Sequence, residues 1–280
     1  MVLPLALAFI MFSLGVGLTA ADFLRVGKRP VAFMIGALHQ LVLLPLVTYA
    51  VIISFGITGA FAVGMMILAA CPGGVTSNII SRLAKGDVAL SVSLTAVISL
   101  TSMFTVPIIL SFALNAFMGA SAPELNIAST AFTMFLLTVV PIMLALVVRR
   151  LAPDAMTRAE PVLTRIATVL FVVIIAAALA GNWGTFTANL PVLGPALLAL
   201  VAILTAIGFV IPRLFGLSLK ECKTVSVETG IQNGTLGIAI AAIIAGASEG
   251  FGPYSLPSAV YGIVMYVILV PVLFIYRRLD

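Results

Sequence analysis

A short polar run, Glu228-Thr229-Gly230-Ile231-Gln232-Asn233-Gly234, lies inside an apolar stretch that extends from about residue 222 to residue 247. A carboxylate at membrane depth costs about 2.5–3.5 kcal/mol even on the most lenient insertion scale. The two glycines weaken a helix, and the two side-chain amides add further polar atoms. The pattern favours a bound cation at Glu228. The alternative is a structural carboxylate that neighbouring helices satisfy.

Other oxygen-bearing side chains lie at a second interruption and in nearby apolar segments. Ser91 and Thr95 are four residues apart and therefore share one helix face, which Ser99 continues. The remaining donors are Ser77 and Asn78, just after the glycine pair at 73–74, and Gln40. Because these donors include no thiolate or imidazole, zinc and copper are disfavoured. Sodium is the predicted ion, with a proton on Glu228 as its rival.

The composition places these groups in a membrane protein. Hydrophobic residues make up 62% of the 280 residues and charged residues 8%, against about 25% charged residues in a soluble domain. Apolar stretches of about 20 residues, the length that crosses a bilayer, recur along the chain. We therefore predict an all-α polytopic membrane protein, with the lipid bilayer rather than nucleic acid as the surrounding partner.

The apolar stretches predict nine transmembrane helices. They lie at about 2–20, 31–54, 61–82, 88–114, 127–148, 166–182, 193–212, 221–247 and 254–276, with a charged connector at 149–165. On this count all 14 Lys and Arg residues fall on one side, which the positive-inside rule makes cytoplasmic. We expect a multi-pass protein of the plasma (cell inner) membrane, with the N-terminus outside and the C-terminus inside.

The third and eighth segments are both interrupted, and they run through the membrane in opposite directions. Pro45 and Pro212, and likewise Pro107 and Pro271, recur at a similar separation. Paired interrupted helices of this kind mark the binding site in secondary transporters built from inverted repeats. We predict a single transporter domain over 1–280, with a first repeat at 1–118 that lacks one helix and a second, inverted repeat at 127–280.

Three motifs resemble the bile acid:sodium symporter family. They are Gly73-Gly74-Val75-Thr76-Ser77-Asn78, the stretch 83–92, and Glu228-Thr229-Gly230-Ile231-Gln232-Asn233. The resemblance implies a core domain with two crossing discontinuous helices, and a panel domain beside it. It also implies a bacterial-type member that lacks the first of ten helices.

The resemblance further implies two sodium sites that share Glu228. The first would use Ser77, Asn78, Ser91, Thr95 and Glu228; the second would use Gln40, Glu228 and Gln232 with the backbone carbonyls of Thr229 and Ile231. The substrate-binding positions would be Val75, Thr76, Asn233 and Tyr266.

Charge counting indicates the substrate class. Two sodium ions and the Glu228 carboxylate leave one positive charge uncompensated, and no Lys or Arg lies at membrane depth in the predicted segments. A small organic monoanion, bile-acid-like or a small carboxylate, would neutralise that charge. We therefore expect sodium-coupled symport by alternating access and no enzyme activity. The alternatives are a proton-coupled carrier or exporter on the same fold, and a membrane receptor that does not transport. The sequence leaves the oligomeric state open.

Overall fold

The computed structural model describes residues 2–19, 27, 30–245 and 252–279, and within these ranges all regular secondary structure is helical. The helices are α1 (Val2–Val16), α2 (Pro30–Ser54), α3a (Gly59–Ala70), α3b (Val75–Leu83), α4 (Val88–Met118), α5 (Ile127–Leu151), α6 (Pro153–Gly181), α7 (Trp183–Leu214), α8a (Leu219–Gly230), α8b (Gly234–Ala245) and α9 (Leu256–Arg278). Seven spans among the described residues are long and apolar enough to cross a membrane, and α1 and α3a are shorter apolar helices. The predicted all-α polytopic membrane fold is confirmed.

The charged connector predicted at 149–165 is helical instead. Helix α5 continues through Arg150, and α6 begins at Pro153, where the missing proline N–H would have had no helical partner. Ala, Arg and Glu in this stretch are good helix formers, so the helix extends beyond the apolar part of the segment. Hydropathy located the membrane-embedded part of α6 but not its start.

Two π-helical turns widen α2 and α5 just before a proline. One turn, His39–Leu43, precedes Pro45, and the other, Phe135–Val139, precedes Pro141. A proline ring inside a helix clashes with the carbonyl four residues earlier, and a wider turn relieves that clash. The turn in α2 places the side chains of His39 and Gln40 in the protein interior.

The helices pack into two groups. Helices α1, α5 and α6 pack against one another, whereas α3b, α4 and α8a pack together with α2 beside them. Helix α7 packs along α8a and α9, and α3a packs against α4, α8b and α9. The first group reaches the second mainly through the first part of α5 with its π turn, Ile127–Val139, and through α8b and α9. This division corresponds to a panel of three helices and a core that contains both interrupted helices.

Candidate functional site: an oxygen-lined crossing of two broken helices

The two interruptions meet in the core. The chain leaves helical geometry between α3a and α3b at residues 71–74, and between α8a and α8b at residues 231–233. The backbone N–H of Asn233 donates a hydrogen bond to the carbonyl oxygen of Pro72 at 2.9 Å. Interrupting a helix frees backbone polar groups that need new partners in an apolar environment. This bond satisfies one such group from each interruption and joins the two.

Glu228 lies in the last turn of α8a, one turn before the crossing, and is only 1% exposed. The Ser91 hydroxyl donates to its Oε1 at 2.5 Å, and the Thr95 hydroxyl donates to its Oε2 at 2.9 Å. The four-residue spacing on α4 therefore brings one hydroxyl to each carboxylate oxygen. In the described structure these partners are hydroxyl groups, so the carboxylate charge has no basic side chain beside it.

Helix α3b adds two more oxygen-bearing side chains to this cluster. The Ser77 hydroxyl lies 3.4 Å from the Thr95 hydroxyl and donates to the carbonyl oxygen of Gly74 at 2.7 Å. The Oδ1 atom of Asn78 lies 2.8 Å from the same Ser91 hydroxyl, so it competes with Glu228 for that single proton. All five side chains expected at the first sodium site thus lie together, on three different helices.

Two glutamine side chains lie beside the second interruption. The Gln40 amide donates to the backbone carbonyl of Glu228 at 2.6 Å, and the Gln232 amide donates to the carbonyl of Thr229 at 2.9 Å. The side-chain oxygens of Gln40 and Gln232 are buried and have no hydrogen-bond partner among the described residues. A buried amide oxygen without a partner is costly, and a hard cation is one group that would satisfy it. The carbonyls of Thr229 and Ile231 border the same interruption.

Gly73 is required by the close approach of the carboxylate. A Cβ atom at this position would lie 2.7 Å from Oε2 of Glu228 and 3.1 Å from the hydroxyl of Ser77. The neighbouring Gly74 has only the Thr76 hydroxyl near its Cβ position, at 3.9 Å. At Gly73 a larger residue would therefore collide with the carboxylate, whereas at Gly74 there is space for a Cβ atom.

The donor chemistry suits an alkali-metal ion better than a transition metal. Within the described ranges, no group of three or more His, Cys, Asp or Glu side chains is placed to hold a metal ion. The cluster instead offers one carboxylate, hydroxyl groups and amide oxygens. Hard cations prefer oxygen ligands of these kinds.

A cavity lies between the crossing and the panel helices α1 and α6. Its lining combines both interruptions with the faces of the two panel helices: Gly74, Thr76, Gln232, Asn233 and Thr235 on one side, and Ile10, Met11, Leu14, Ala167, Thr168 and Phe171 on the other. The wall formed by the panel is thus largely apolar, and the wall formed by the crossing is polar. Among the described residues, no Lys or Arg lines this cavity.

Of the four positions expected to bind substrate, two line this cavity. Thr76 and Asn233 line the cavity, and the Tyr266 side chain interacts with Thr76 from α9 without lining it. The side chain of Val75 lies outside the described part of the structure, although its backbone begins α3b. Sequence reasoning missed the α6 contribution, Thr168 and Phe171. The pair Thr164 and Thr168, four residues apart where the charged start of α6 gives way to its apolar part, was the available signal.

The cavity faces two half-helix N-termini that differ in capping. Helix α3b begins after Gly74 with no side chain that caps its free N–H groups. At α8b, by contrast, Asn233 Oδ1 accepts from the N–H of Leu236 at 3.1 Å and from the hydroxyl of Thr235 at 2.7 Å. A helix N-terminus attracts anions when its N–H groups are free. The uncapped start of α3b is therefore the better anion site of the two.

A second cavity continues from the ion cluster along the same interface between core and panel. It passes from Asn78 to Arg82 on α3b, and from Thr164 to Glu160 on α6. Glu160 is paired with Arg149 at 3.2 Å. The interface is thus open on the side where the basic residues collect and packed on the side of α8b.

Comparison with known proteins finds a matching family and several similar transporters. The model of the sodium bile acid symporter family matches residues 4–189. The sodium-dependent transporter YocS of Bacillus subtilis is 28% identical over 262 residues, which cover 92% of this chain and 77% of the relative. The ileal sodium/bile acid cotransporter of Homo sapiens is 30% identical over 241 residues, 83% of this chain and 66% of the relative.

A plant protein extends the comparison. The probable chloroplastic sodium/metabolite cotransporter BASS1 of Oryza sativa is 26% identical over 239 residues, 84% of this chain and 57% of the relative. The chain thus spans less than two thirds of the human and rice relatives. The family match nevertheless covers more than half of the chain. The chain belongs to the sodium bile acid symporter family.

Proposed function

We propose that this protein is a secondary active transporter of the plasma membrane that couples sodium entry to uptake of an organic anion. The single observation that carries the proposal is the buried Glu228 carboxylate, surrounded by hydroxyl and amide oxygens at the crossing of two interrupted helices. Interrupted helices that cross at the midplane hold substrate and coupling ions in secondary transporters. Relatives named as sodium-dependent transporters and cotransporters support the same function.

Two sodium ions bind in this proposal, and both use Glu228. The first ion lies among Ser77, Asn78, Ser91, Thr95 and Glu228, where it replaces hydrogen bonds within the cluster. The second ion lies among Gln40, Gln232 and the carbonyls of Thr229 and Ile231. It is supported by the two amide oxygens that have no partner among the described residues.

The proposed substrate is an amphipathic organic monoanion, such as a bile-acid-like molecule or a small carboxylate. Its charged group would lie against the uncapped start of α3b near Thr76, and its apolar part against Met11 and Phe171. Because no described Lys or Arg residue lines this cavity, the positive charge that balances the anion in this proposal comes from the sodium ions. This arrangement makes substrate affinity depend on sodium.

Transport would proceed by movement of the core against the panel. The cavity that leads from Asn78 to Glu160 lies between these two groups, on the side where basic residues collect. The positive-inside rule makes that side cytoplasmic. The described conformation then corresponds to an inward-open state, and closing this interface while opening the α8b side would expose the site to the outside.

The decisive experiment compares the parent with Glu228→Gln in proteoliposomes. A thermal-shift screen of carboxylates, bile salts and keto acids in the presence of sodium first identifies a transported anion, because a ligand of the native state raises apparent stability. Uptake of that anion is then measured under an imposed sodium gradient. We expect Glu228→Gln to lose sodium-driven uptake by at least about 100-fold, since removal of residues that only support a metal ligand already costs 10–100-fold.

Glu124→Gln serves as the matched control, because Glu124 is exposed between α4 and α5. It should retain parental uptake. Undiminished sodium dependence in Glu228→Gln would reject the proposal. Uptake that follows a pH gradient instead would identify a proton-coupled carrier, and binding without accumulation would identify a receptor.

A further inference from the structure

A separate crevice lies between α4 and the last part of α5, and Leu18 and Thr19, just after α1, also border it. Helix α4 packs closely against the first part of α5, Ile127–Val139, but not against its last part, Val140–Leu151. The two helices therefore diverge toward the end that carries Arg149 and Arg150, and they leave a gap between core and panel. Leu100 on α4 and Met143, Leu146 and Val147 on α5 line this gap.

The mouth of the crevice is basic. Arg149 and Arg150 both line it, next to Pro153 at the start of α6. Arg149 is held by its ion pair with Glu160 and by a hydrogen bond to the backbone carbonyl of Val16. Arg150 is exposed, and no acidic partner for it is found among the described residues. Within the described ranges, the charge of Arg150 is therefore not compensated by an ion pair, whereas that of Arg149 is.

The interior of the crevice is apolar and faces lipid. Met143 and Val147 are 48% and 51% exposed. They belong to a helix that is long and apolar enough to cross a membrane, so the groups that meet these side chains are hydrocarbon chains rather than water. From Arg150 to Met143 the helix rises by about 10 Å, which is long enough to cover a substantial part of one acyl chain.

We propose that this crevice binds an anionic phospholipid. Its phosphate contacts Arg150 and Arg149 at the predicted cytoplasmic border of the membrane, and one acyl chain fills the gap between α4 and α5. Basic pockets between transmembrane helices on the cytoplasmic side bind acidic headgroups in this way. Guanidinium groups suit the phosphate because they present paired donors in a plane. The charge selects an anionic headgroup, and the apolar depth selects a lipid over a soluble anion.

The test measures lipid retained by purified protein in native mass spectrometry. Phosphatidylglycerol and phosphatidylcholine with the same acyl chains are added at equal concentrations. The parent should retain phosphatidylglycerol preferentially, and Arg150→Gln should reduce that preference about fivefold, the effect of removing one basic residue near a membrane surface. Arg150→Lys, which keeps the charge, should recover part of the preference.

The control is Arg278→Gln, which removes an exposed basic residue from the last turn of α9 on the same predicted side of the membrane. It should keep the parental preference. A separate variant, Leu100→Trp, fills the crevice and leaves both arginines, and it should reduce retention of both lipids. The proposal is overturned if Arg150→Gln keeps the parental preference. The proposal is also overturned if added glycerol phosphate displaces the bound phosphatidylglycerol. In that case a soluble headgroup would bind the crevice without an acyl chain.

Discussion

The two interrupted helices restart in different surroundings. After the break in α3, the helix begins without a side-chain cap, and it soon reaches open space, since Ile79 is 43% exposed. After the break in α8, Asn233 caps the new helix, and every residue of α8b as far as Ala241 is buried. The carboxylate is on the enclosed helix, and the uncapped start is on the less enclosed one, although both interruptions line the cavity.

This difference suggests a division of labour between the two helices. The enclosed α8 holds the fixed negative charge and has backbone carbonyls to offer, so it is suited to keep ions in place. Helix α3b supplies neutral oxygens to the same cluster from one side and faces the cavity from the other. A displacement of α3b relative to α8a would therefore change the proposed ion sites and the proposed anion site together, which is what coupling requires.

Among the substitutions that test this division, the largest effect should come from Gly73→Ala. The added methyl group would lie 2.7 Å from Oε2 of Glu228, so either the carboxylate or α3b must move. A displacement of about 1 Å in a positioned reacting group can lower a reaction rate on the order of 100-fold. We expect the sodium concentration for half-maximal uptake to rise on a similar scale. Sodium-dependent uptake in proteoliposomes measures it.

Gly74→Ala is the control, since its Cβ would meet only the Thr76 hydroxyl at 3.9 Å. The corresponding change on the other helix is Gly230→Ala, whose Cβ would lie 2.6 Å from the hydroxyl of Thr205 on α7, a group outside the proposed ion sites. Both should affect sodium affinity much less than Gly73→Ala. If all three substitutions changed sodium affinity equally, the proposed difference between the interruptions of α3 and α8 would be wrong.

Thr95→Ala should have the next largest effect. The Thr95 hydroxyl donates to Glu228 Oε2 at 2.9 Å and also lies 3.4 Å from Ser77, so it links α4 to both interrupted helices. A hydrogen bond to a charged group is worth about 1.5–3 kcal/mol, which corresponds to a rise of about tenfold or more in the half-saturating sodium concentration. Thr95→Ser keeps the hydroxyl and should stay close to the parent. A parental value in Thr95→Ala would exclude this side chain from the ion sites.

Gln232→Ala should have a smaller effect on sodium. Its side-chain oxygen is a neutral ligand in the proposal, and a neutral hydrogen-bonding group contributes about 1 kcal/mol, or about a fivefold change in affinity. Removal of a buried oxygen that has no partner among the described residues stabilises the fold, whereas loss of the bond that the amide donates to the Thr229 carbonyl destabilises it, so the melting temperature should change little. Paired measurements of uptake and melting temperature check both parts. A loss of stability with unchanged sodium affinity would assign Gln232 a structural role instead.

Sequence alone located the breaks and the oxygen donors because both are local anomalies. A carboxylate, a glycine pair or an amide stands out in an apolar stretch, and hydropathy along the chain detects it. The meeting of Pro72 with Asn233 follows once the two broken segments are paired. The division into repeats at 1–118 and 127–280 stays a prediction.

The sequence could not reveal which apolar faces line the cavity. Met11 and Phe171 have the same chemistry as residues that face lipid, and helical periodicity gives no direction inside a membrane, where both surroundings are apolar. The start of α6 at Pro153 was missed for a related reason, since hydropathy detects the bilayer rather than the helix. The cap at Asn233 could have been predicted, because asparagine before a glycine and a threonine is a common helix start.

The smallest predicted effect tests that cap. Asn233→Ala removes the side-chain oxygen that accepts from the Leu236 N–H, and loss of such a cap costs about 1 kcal/mol, which corresponds to about 2–4 °C in melting temperature for a chain of this size. Asn233→Asp keeps the accepting oxygen and should preserve stability, but it places a negative charge in the cavity and should weaken binding of the organic anion. If Asn233→Ala weakened anion binding as strongly while melting like the parent, Asn233 would act as a substrate ligand rather than as the cap that distinguishes α8b from α3b.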